Sequence, residues 1–164
     1  MRVEQRVALM PGKVLYLRAF RDEDYPRLAE IKSLAFPDRP RSAEEIRRAD
    51  ASWDRTRCGF LRLAAEDAGG AVVGVGRIRH EPWEFHPRGY SLNVTVEPAL
   101  RRRGIGTAIY GSLIVELRRR GVVAVRTWVA RDTMTQSIAF LWHRGFVEVQ
   151  RGRQSHIAFQ KAPV

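Results

Sequence analysis

The alternation of apolar and polar residues predicts a strand, a tight turn and a long helix in the middle of the chain. Leu92, Val94 and Val96 alternate with polar residues, which is the two-residue period of a strand. A helical period follows, in which the apolar residues share one face: Ile105, Ala108, Ile109, Leu113 and Leu117. Pro98 separates the two elements, because it has no N–H to donate to a strand ladder.

The same patterns predict the remaining elements in the order β-α-α-β-β-β-α-β-α-β-β. Apolar runs predict further strands, over 14–20, 60–65, 72–78, 122–129, 147–149 and 156–160. Residues 1–12 are expected to be a lead-in to the first strand. Helices are expected from a cap at Asp22, over about 43–54, and from a cap at Thr133 or Thr135 to an end at Gly145-Phe146.

Short local patterns mark the ends of several elements. Ser42 and Glu45 match the S-x-x-E capping box at a helix start. Residues 67–70 read Asp-Ala-Gly-Gly, which is typical of a hairpin turn. Gly121 follows three arginines and predicts the end of the long helix.

The turn that opens the long helix is basic and contains two glycines. Gly104 and Gly106 flank Ile105, and three arginines precede them at 101–103. The first turn of a helix has unpaired N–H groups and a partial positive charge, and glycine lets an anion approach the backbone. The turn therefore predicts a phosphate or pyrophosphate site. Neither the GxGxxG pattern, which would need glycine where Ile109 stands, nor the P-loop pattern is present.

A longer pattern over the same residues resembles a known family motif. Val96 to Gly106 read V-x-P-x-x-R-x-R-G-x-G, which resembles the acetyl-CoA-binding motif of the GCN5-related N-acetyltransferase (GNAT) family. The resemblance implies a single domain over 1–164 with an α/β (α+β) fold. Its sheet is expected to be mixed and mostly antiparallel, with six to seven strands and about four helices on both faces. The implied activity is acetyl transfer from acetyl-CoA to a primary amine of a small molecule or peptide.

The resemblance also implies which residues bind acetyl-CoA. The strand backbone would pair with the pantetheine arm, a backbone N–H near residue 94 would bind the oxyanion, and amides of 102–107 would bind the pyrophosphate. The expected cofactor-binding residues are Val94, Thr95, Val96, Arg101, Arg102, Arg103, Gly104, Ile105, Gly106, Thr107, Ser137 and Phe140.

A second family motif, N-x-x-A-I-x-x-Y-E-K-x-G-F, is matched only in part by residues 134–146. Met134 stands where an asparagine often contacts coenzyme A, and Leu141 stands where a tyrosine often protonates the leaving thiolate. Leucine has no proton to give. Because the thiol of coenzyme A has a pKa of about 8.5, the leaving thiolate could instead take its proton from water. Tyr110, Cys58 and His143 are alternative proton donors. For each of them, the competing interpretation is an ordinary structural role in the core or on the surface.

The loop before the central strand holds the candidate bases. Glu81, Glu84 and His86 lie near the position of the family's base, and for each a surface role is the alternative. A glutamate would act directly or through water, whereas His86 has an unperturbed pKa of ~6.5. Asn93 and Thr95 are polar residues on a strand that is expected to be buried, so they need partners. They either orient a water or the substrate, or satisfy a local bulge.

The net charge and the departures from the second motif each suggest a competing function. The formal net charge is +11, and 26 of the 29 basic residues are arginine, since only Lys13, Lys32 and Lys161 are lysine. The charge alone favours a nucleic-acid-binding module, although the arginines are scattered. The departures at 134 and 141 favour a non-catalytic acyl-CoA-binding or regulatory domain.

The cysteine count and the hydropathy bear on disulfides, metal binding and membrane association. Cys58 is the single cysteine, so the chain cannot form an internal disulfide, and zinc-ligand spacings are absent. No run of ~18 apolar residues occurs. We therefore expect a cytoplasmic protein that does not bind a membrane or a metal. Its expected partners are acetyl-CoA and an amine substrate, and a homodimer remains an open alternative.

Overall fold

The structure is a computed structural model that describes residues 5–10, 13–130, 135–151, 156–162 and 164. The described residues contain eight strands: β1 Gln5–Met10, β2 Lys13–Ala19, β3 Phe60–Glu66, β4 Val72–Arg79, β5 Gly89–Val96, β6 Ala124–Ala130, β7 Val147–Arg151 and β8 His156–Lys161. They form one sheet in the order β1-β2-β3-β4-β5-β6-β8-β7. Every neighbouring pair is antiparallel except β5 and β6. The predicted mixed, mostly antiparallel α/β fold is confirmed.

Helices cover both faces of the sheet. The described α-helices are α1 Tyr25–Ala35, α2 Ala43–Ala51, α3 Ile105–Arg119 and α4 Thr135–Trp142, and short 3-10 turns cover Asp22–Asp24, Pro82–Glu84 and Pro98–Leu100. Side chains of α1 and α2, such as Leu28 and Ile46, pack on one face against Val75. Side chains of α3 pack into the larger cluster on the other face. No helix in the described part of the chain is both long enough and apolar enough to cross a membrane.

The predicted apolar face of α3 is the face that packs on the sheet. Ile109, Leu113 and Leu117 are fully buried. The helix ends as expected, because Gly121 has a φ of 66° and Val122 donates its N–H to the Leu117 carbonyl at 3.1 Å. Burial of this face fixes the position of the first turn of α3.

Three expectations about the elements are wrong. Residues 5–10 are strand β1, paired with β2, so the sheet has eight strands rather than six to seven. Asp22 begins a 3-10 turn and does not cap α1; Asp24 precedes that helix, and its carboxylate accepts from Arg18. Helix α2 ends at Ala51 rather than at 54. Residues 5–10 read Gln-Arg-Val-Ala-Leu-Met, which has no alternation of apolar and polar side chains, so periodicity did not reveal that they pair with the adjacent strand β2.

Other local signals are confirmed. The Ser42 N–H donates to Glu45 Oε2 at 2.7 Å, and the Glu45 N–H donates to Ser42 Oγ at 3.2 Å, which completes the capping box. The 67–70 turn joins β3 to β4. Helix α4 covers Thr135–Trp142, and Gly145, with a φ of 77°, closes its end, where the Phe146 N–H donates to the Leu141 carbonyl at 3.1 Å. Thr135 is the first helical residue rather than a cap, and the alternative cap Thr133 lies outside the described residues.

Candidate functional site

The turn before α3 leaves the helix N-terminus open. Arg102 and Gly104 both adopt left-handed backbone conformations, with φ of 64° and 84°. Gly104 is the N-cap, and no side chain caps the helix. The N–H groups of the first turn, at 105–107, therefore lack intrahelical partners and carry the positive end of the helix dipole. Such an arrangement favours a bound anion.

The two parallel strands in the centre of the sheet separate beyond a short paired region. Strand β5 pairs with β6 only from Gly89 to Ser91, opposite Ala124 to Arg126. After Ser91, the edge of β5 that faces β6 has no strand partner among the described residues, although its other edge pairs with β4 up to Val96. An extended ligand can add to such an edge through backbone hydrogen bonds.

These two features meet in one large groove of about 920 Å³. Its walls come from the separated parts of β5 and β6, the turn before α3, helix α4 and the loop after α1. Of the expected cofactor-binding residues, all but Arg103 line it: Val94, Thr95, Val96, Arg101, Arg102, Gly104, Ile105, Gly106, Thr107, Ser137 and Phe140. Arg103 is exposed instead, and its guanidinium approaches the Ala99 carbonyl at 3.5 Å.

Helix α4 is held against the start of α3 by an arginine that the sequence did not single out. The Arg144 guanidinium lies 3.4 Å from the Phe140 ring centroid and donates to Thr107 Oγ1 at 2.9 Å. Burial lowers the pKa of Arg144. The contact fixes two groove-lining side chains relative to each other. A single arginine near a helix end carries no sequence signal for such a role.

The positions where the chain departs from the second family motif lie in different surroundings. Leu141 lines the groove and is buried, so no phenol stands at this wall. Met134 lies outside the described residues. Among the alternative proton donors, Tyr110 and Cys58 are buried and His143 is exposed; none of them lines the groove. The Tyr110 hydroxyl has no hydrogen-bond partner in the described part of the chain, and burial raises its pKa.

The two candidate bases whose side chains the structure describes, Glu81 and His86, do not line the groove. Glu81 Oε1 accepts from Arg79 at 3.0 Å and from Ser91 Oγ at 2.7 Å, while Oε2 is buried and has no hydrogen-bond partner among the described residues. His86 is exposed, and its Nδ1 accepts from the Arg88 N–H at 3.1 Å. The side chain of Glu84 lies outside the described part of the structure.

Asn93 and Thr95 face the groove and bond to each other. The Thr95 hydroxyl donates to Asn93 Oδ1 at 3.1 Å, and both residues line the groove. The register of β4 with β5 is regular from Gly74↔Val96 to Arg79↔Ser91. The suggestion that these polar residues satisfy a bulge is therefore wrong.

Comparison with known proteins identifies the class. The sequence model of the acetyltransferase (GNAT) family matches residues 23–146, so the chain belongs to the GNAT family. A curated relative, mycothiol acetyltransferase of Propionibacterium freudenreichii subsp. shermanii, is 29% identical over 119 residues, which is 70% of this chain. The chain spans 38% of that relative's length.

Two solved structures illustrate the fold match. The ribosomal-protein-alanine N-acetyltransferase from Brucella melitensis has a TM-score of 0.72 at 25% identity, covering 89% of this chain and 98% of that one. The protein yncA from Salmonella typhimurium, solved with its cofactor acetyl-CoA, has a TM-score of 0.69 at 21% identity. That alignment covers 90% of this chain and 93% of the other. The family resemblance in the sequence is confirmed.

Proposed function

We propose that the chain transfers an acetyl group from acetyl-CoA directly to a primary amine of a small molecule or peptide. The observation that carries the proposal is the groove, in which an uncapped helix start and an unpaired strand edge line one space. The relative named mycothiol acetyltransferase supports acetyl transfer, and the neighbour solved with acetyl-CoA supports acetyl-CoA as the co-substrate.

Each part of acetyl-CoA has a complementary part of the groove. The pyrophosphate would accept hydrogen bonds from the free N–H groups of Ile105, Gly106 and Thr107, beside Arg101 and Arg102. The pantetheine amides would pair with the free edge of β5 over 94–96 as an added strand. This placement directs the thioester toward the point where β5 and β6 separate.

The reaction itself needs a neutral amine and a leaving thiolate. The amine nitrogen forms a bond to the thioester carbon, and a backbone N–H near Val94 stabilises the oxyanion. Collapse of the tetrahedral intermediate breaks the C–S bond, and the nitrogen releases its second proton to solvent water. Since Leu141 has no proton to give, the thiolate takes one from water. A thiol pKa of about 8.5 makes this transfer feasible near neutral pH.

Of the candidate bases, we assign the first deprotonation to Glu81, acting through water. Its Oε1 bonds to Ser91, which directly precedes the groove residue Leu92, and its Oε2 has no protein partner. His86 and Glu84 remain alternatives. Glu81→Gln keeps a carbonyl acceptor for Ser91 and Arg79, so loss of kcat with a changed pH profile would separate the base from a structural role.

Calorimetry with acetyl-CoA, followed by thiol-release assays across an amine panel, tests the proposal. Binding together with amine-dependent thiol release is the expected result. Absence of acetyl-CoA binding would overturn it. Tight binding with no release for any amine would favour the second candidate, a non-catalytic acyl-CoA-binding domain, which the leucine at 141 in the groove wall supports.

A further inference from the structure

A small recess adjoins the groove between β4, β5 and α1. It has a volume of about 10 Å³, and its lining includes Lys32, Arg62, Arg77, Asn93 and Thr95. Three of these residues, Lys32, Asn93 and Thr95, also line the large groove. A volume of this size admits about one water-sized atom, such as a single carboxylate oxygen. A ligand in the groove can therefore place one polar atom in the recess.

The arginines on this face of the sheet differ in whether they are neutralised. Arg62 on β3 stands opposite Arg77 on β4. The Arg62 guanidinium forms a two-point ion pair with Asp50, and both side chains are buried. Arg79, two residues further along β4, pairs with Glu81 at 3.0 Å and lies 4.2 Å from the Trp53 ring centroid.

Arg77 and Lys32 lack such a partner. Within the described residues, neither side chain forms an ion pair or a hydrogen bond, although both are half-buried. Burial, followed by the charges of Arg79 and Arg62, lowers the pKa of Arg77 to about 9. Burial and the neighbouring Arg77 and Arg62 lower the pKa of Lys32 to about 8. Both groups still carry their charge at neutral pH.

Two half-buried cations without a counterion are electrostatically unfavourable. An anion bound between them would remove the repulsion and replace lost hydration with hydrogen bonds. The Thr95 hydroxyl already bonds to Asn93 Oδ1, which leaves the Asn93 amide nitrogen as a further donor. The recess thus presents donors and positive charge, and its size fits one carboxylate oxygen better than a whole phosphate group.

We propose that Arg77 and Lys32 bind a carboxylate of the acceptor, so that the substrate is an amino acid or peptide whose carboxylate lies a few bonds from the reacting amine. This inference rests on the proposed function and names its substrate class. Asn93 and Thr95 belong both to the recess and to the groove wall beside the expected thioester. A carboxylate in the recess therefore leaves a nearby amine facing the thioester carbon.

The test compares acids with their uncharged amides. The full chain, loaded with coenzyme A, is titrated calorimetrically with N-acetyl derivatives of the common amino acids and of β-alanine, each paired with its carboxamide. Acids are expected to bind at least tenfold more tightly than their amides for the best members of the panel. Kinetic assays with the free amines should show the same preference in KM.

Substitutions of Arg77 and Lys32 test whether these side chains cause the preference for acids over amides. Arg77→Gln should reduce the ratio of acid to amide affinity to about one, and Lys32→Gln should reduce it several-fold, without changing the Kd for acetyl-CoA. Arg77→Lys should retain part of the ratio because it keeps the charge. Arg48→Gln removes the same charge from the exposed face of α2 and should leave the ratio unchanged. Circular dichroism and thermal unfolding confirm that each variant is folded.

The outcomes separate this inference from the function on which it rests. If the unmodified chain binds acetyl-CoA but binds acids and amides equally, or binds neither, the carboxylate site is wrong and the co-substrate site stands. The same follows if folded Arg77→Gln keeps the full preference. If acetyl-CoA does not bind at all, the proposed function fails first.

Discussion

Gly76 of β4 lies so close to Ile109 of α3 that a Cβ on the glycine would stand 2.3 Å from Ile109 Cγ2. Leu113 Cδ1 would be 2.8 Å from the same Cβ. Both neighbours are fully buried and have little room to move. The absence of a side chain at 76 therefore sets how closely α3 approaches the sheet, and with it the position of the helix start at the groove.

Gly76→Ala is expected to destabilise the fold. Overpacking at this contact should lower the free energy of unfolding by about 1–3 kcal/mol, measured by urea denaturation. Gly111→Ala is the matched control on α3, because nothing lies within 4 Å of its added Cβ. It should stabilise the chain by about 0.5–1 kcal/mol. Equal stabilities of the two variants would contradict the close packing of α3 on β4.

Gly106→Ala is expected to weaken acetyl-CoA binding and leave the fold intact. Its Cβ would lie 3.6 Å from Val96 Cγ2 and 4.0 Å from Phe140, which is ordinary contact. The methyl group would nevertheless occupy the approach of a pyrophosphate to the helix N–H groups. Calorimetry should show an affinity loss of about tenfold, which is about 1.4 kcal/mol. An unchanged Kd, with Gly111→Ala as the reference, would place the pyrophosphate elsewhere.

Asp50→Asn is expected to destabilise the face that carries α1 and α2. Asp50 neutralises the buried guanidinium of Arg62 and accepts from the Tyr25 hydroxyl at 2.9 Å. Removal of the charge leaves Arg62 buried without a counterion, which should cost about 3–5 kcal/mol in the free energy of unfolding. The exposed pair of Glu44 with Arg48 is the control, and Glu44→Gln should cost less than about 0.5 kcal/mol. Similar losses in both variants would argue against the buried pair.

Stability should depend on pH through Glu116. Its carboxylate accepts from Arg119 at 2.8 Å and Arg120 at 2.7 Å, and these bonds, those of Arg119 first, lower its pKa to about 2. A carboxyl group whose pKa is lower in the folded state stabilises the fold above its unfolded pKa, about 4.5, and loses this effect as the pH falls toward 2.

Urea denaturation of Glu116→Gln at pH 6 and pH 3 measures this contribution. The variant should be less stable than the parent chain by about 1–2 kcal/mol at pH 6, because it loses the carboxylate charge. The loss is no larger because solvent screens the exposed guanidinium of Arg119. The difference should shrink at pH 3. A difference that is constant over this range would show that the carboxylate charge is not responsible.

Local sequence patterns predicted the elements that depend on near neighbours. The capping box of Ser42 and Glu45, the buried face of α3 and the turn at Gly104 all arise from residues within a few positions of one another. Strand β1 was missed because residues 5–10 do not alternate apolar and polar side chains, although they pair with the adjacent β2. The candidate bases Glu81 and His86 were placed by their order in the chain, which does not determine which side chains reach the groove.

The sequence by itself determined the family and the alternation of helices and strands, and it predicted an anion site at the turn at 101–107. Tertiary structure alone decided where β5 and β6 separate, and which charges meet across the sheet. Arg62, Arg77 and Arg79 look alike in the sequence, yet Asp50 and Glu81 neutralise only the first and the last. The physical reason is that a charge depends on which side chains lie near it in space, and only the fold brings Asp50 of α2 to Arg62 of β3.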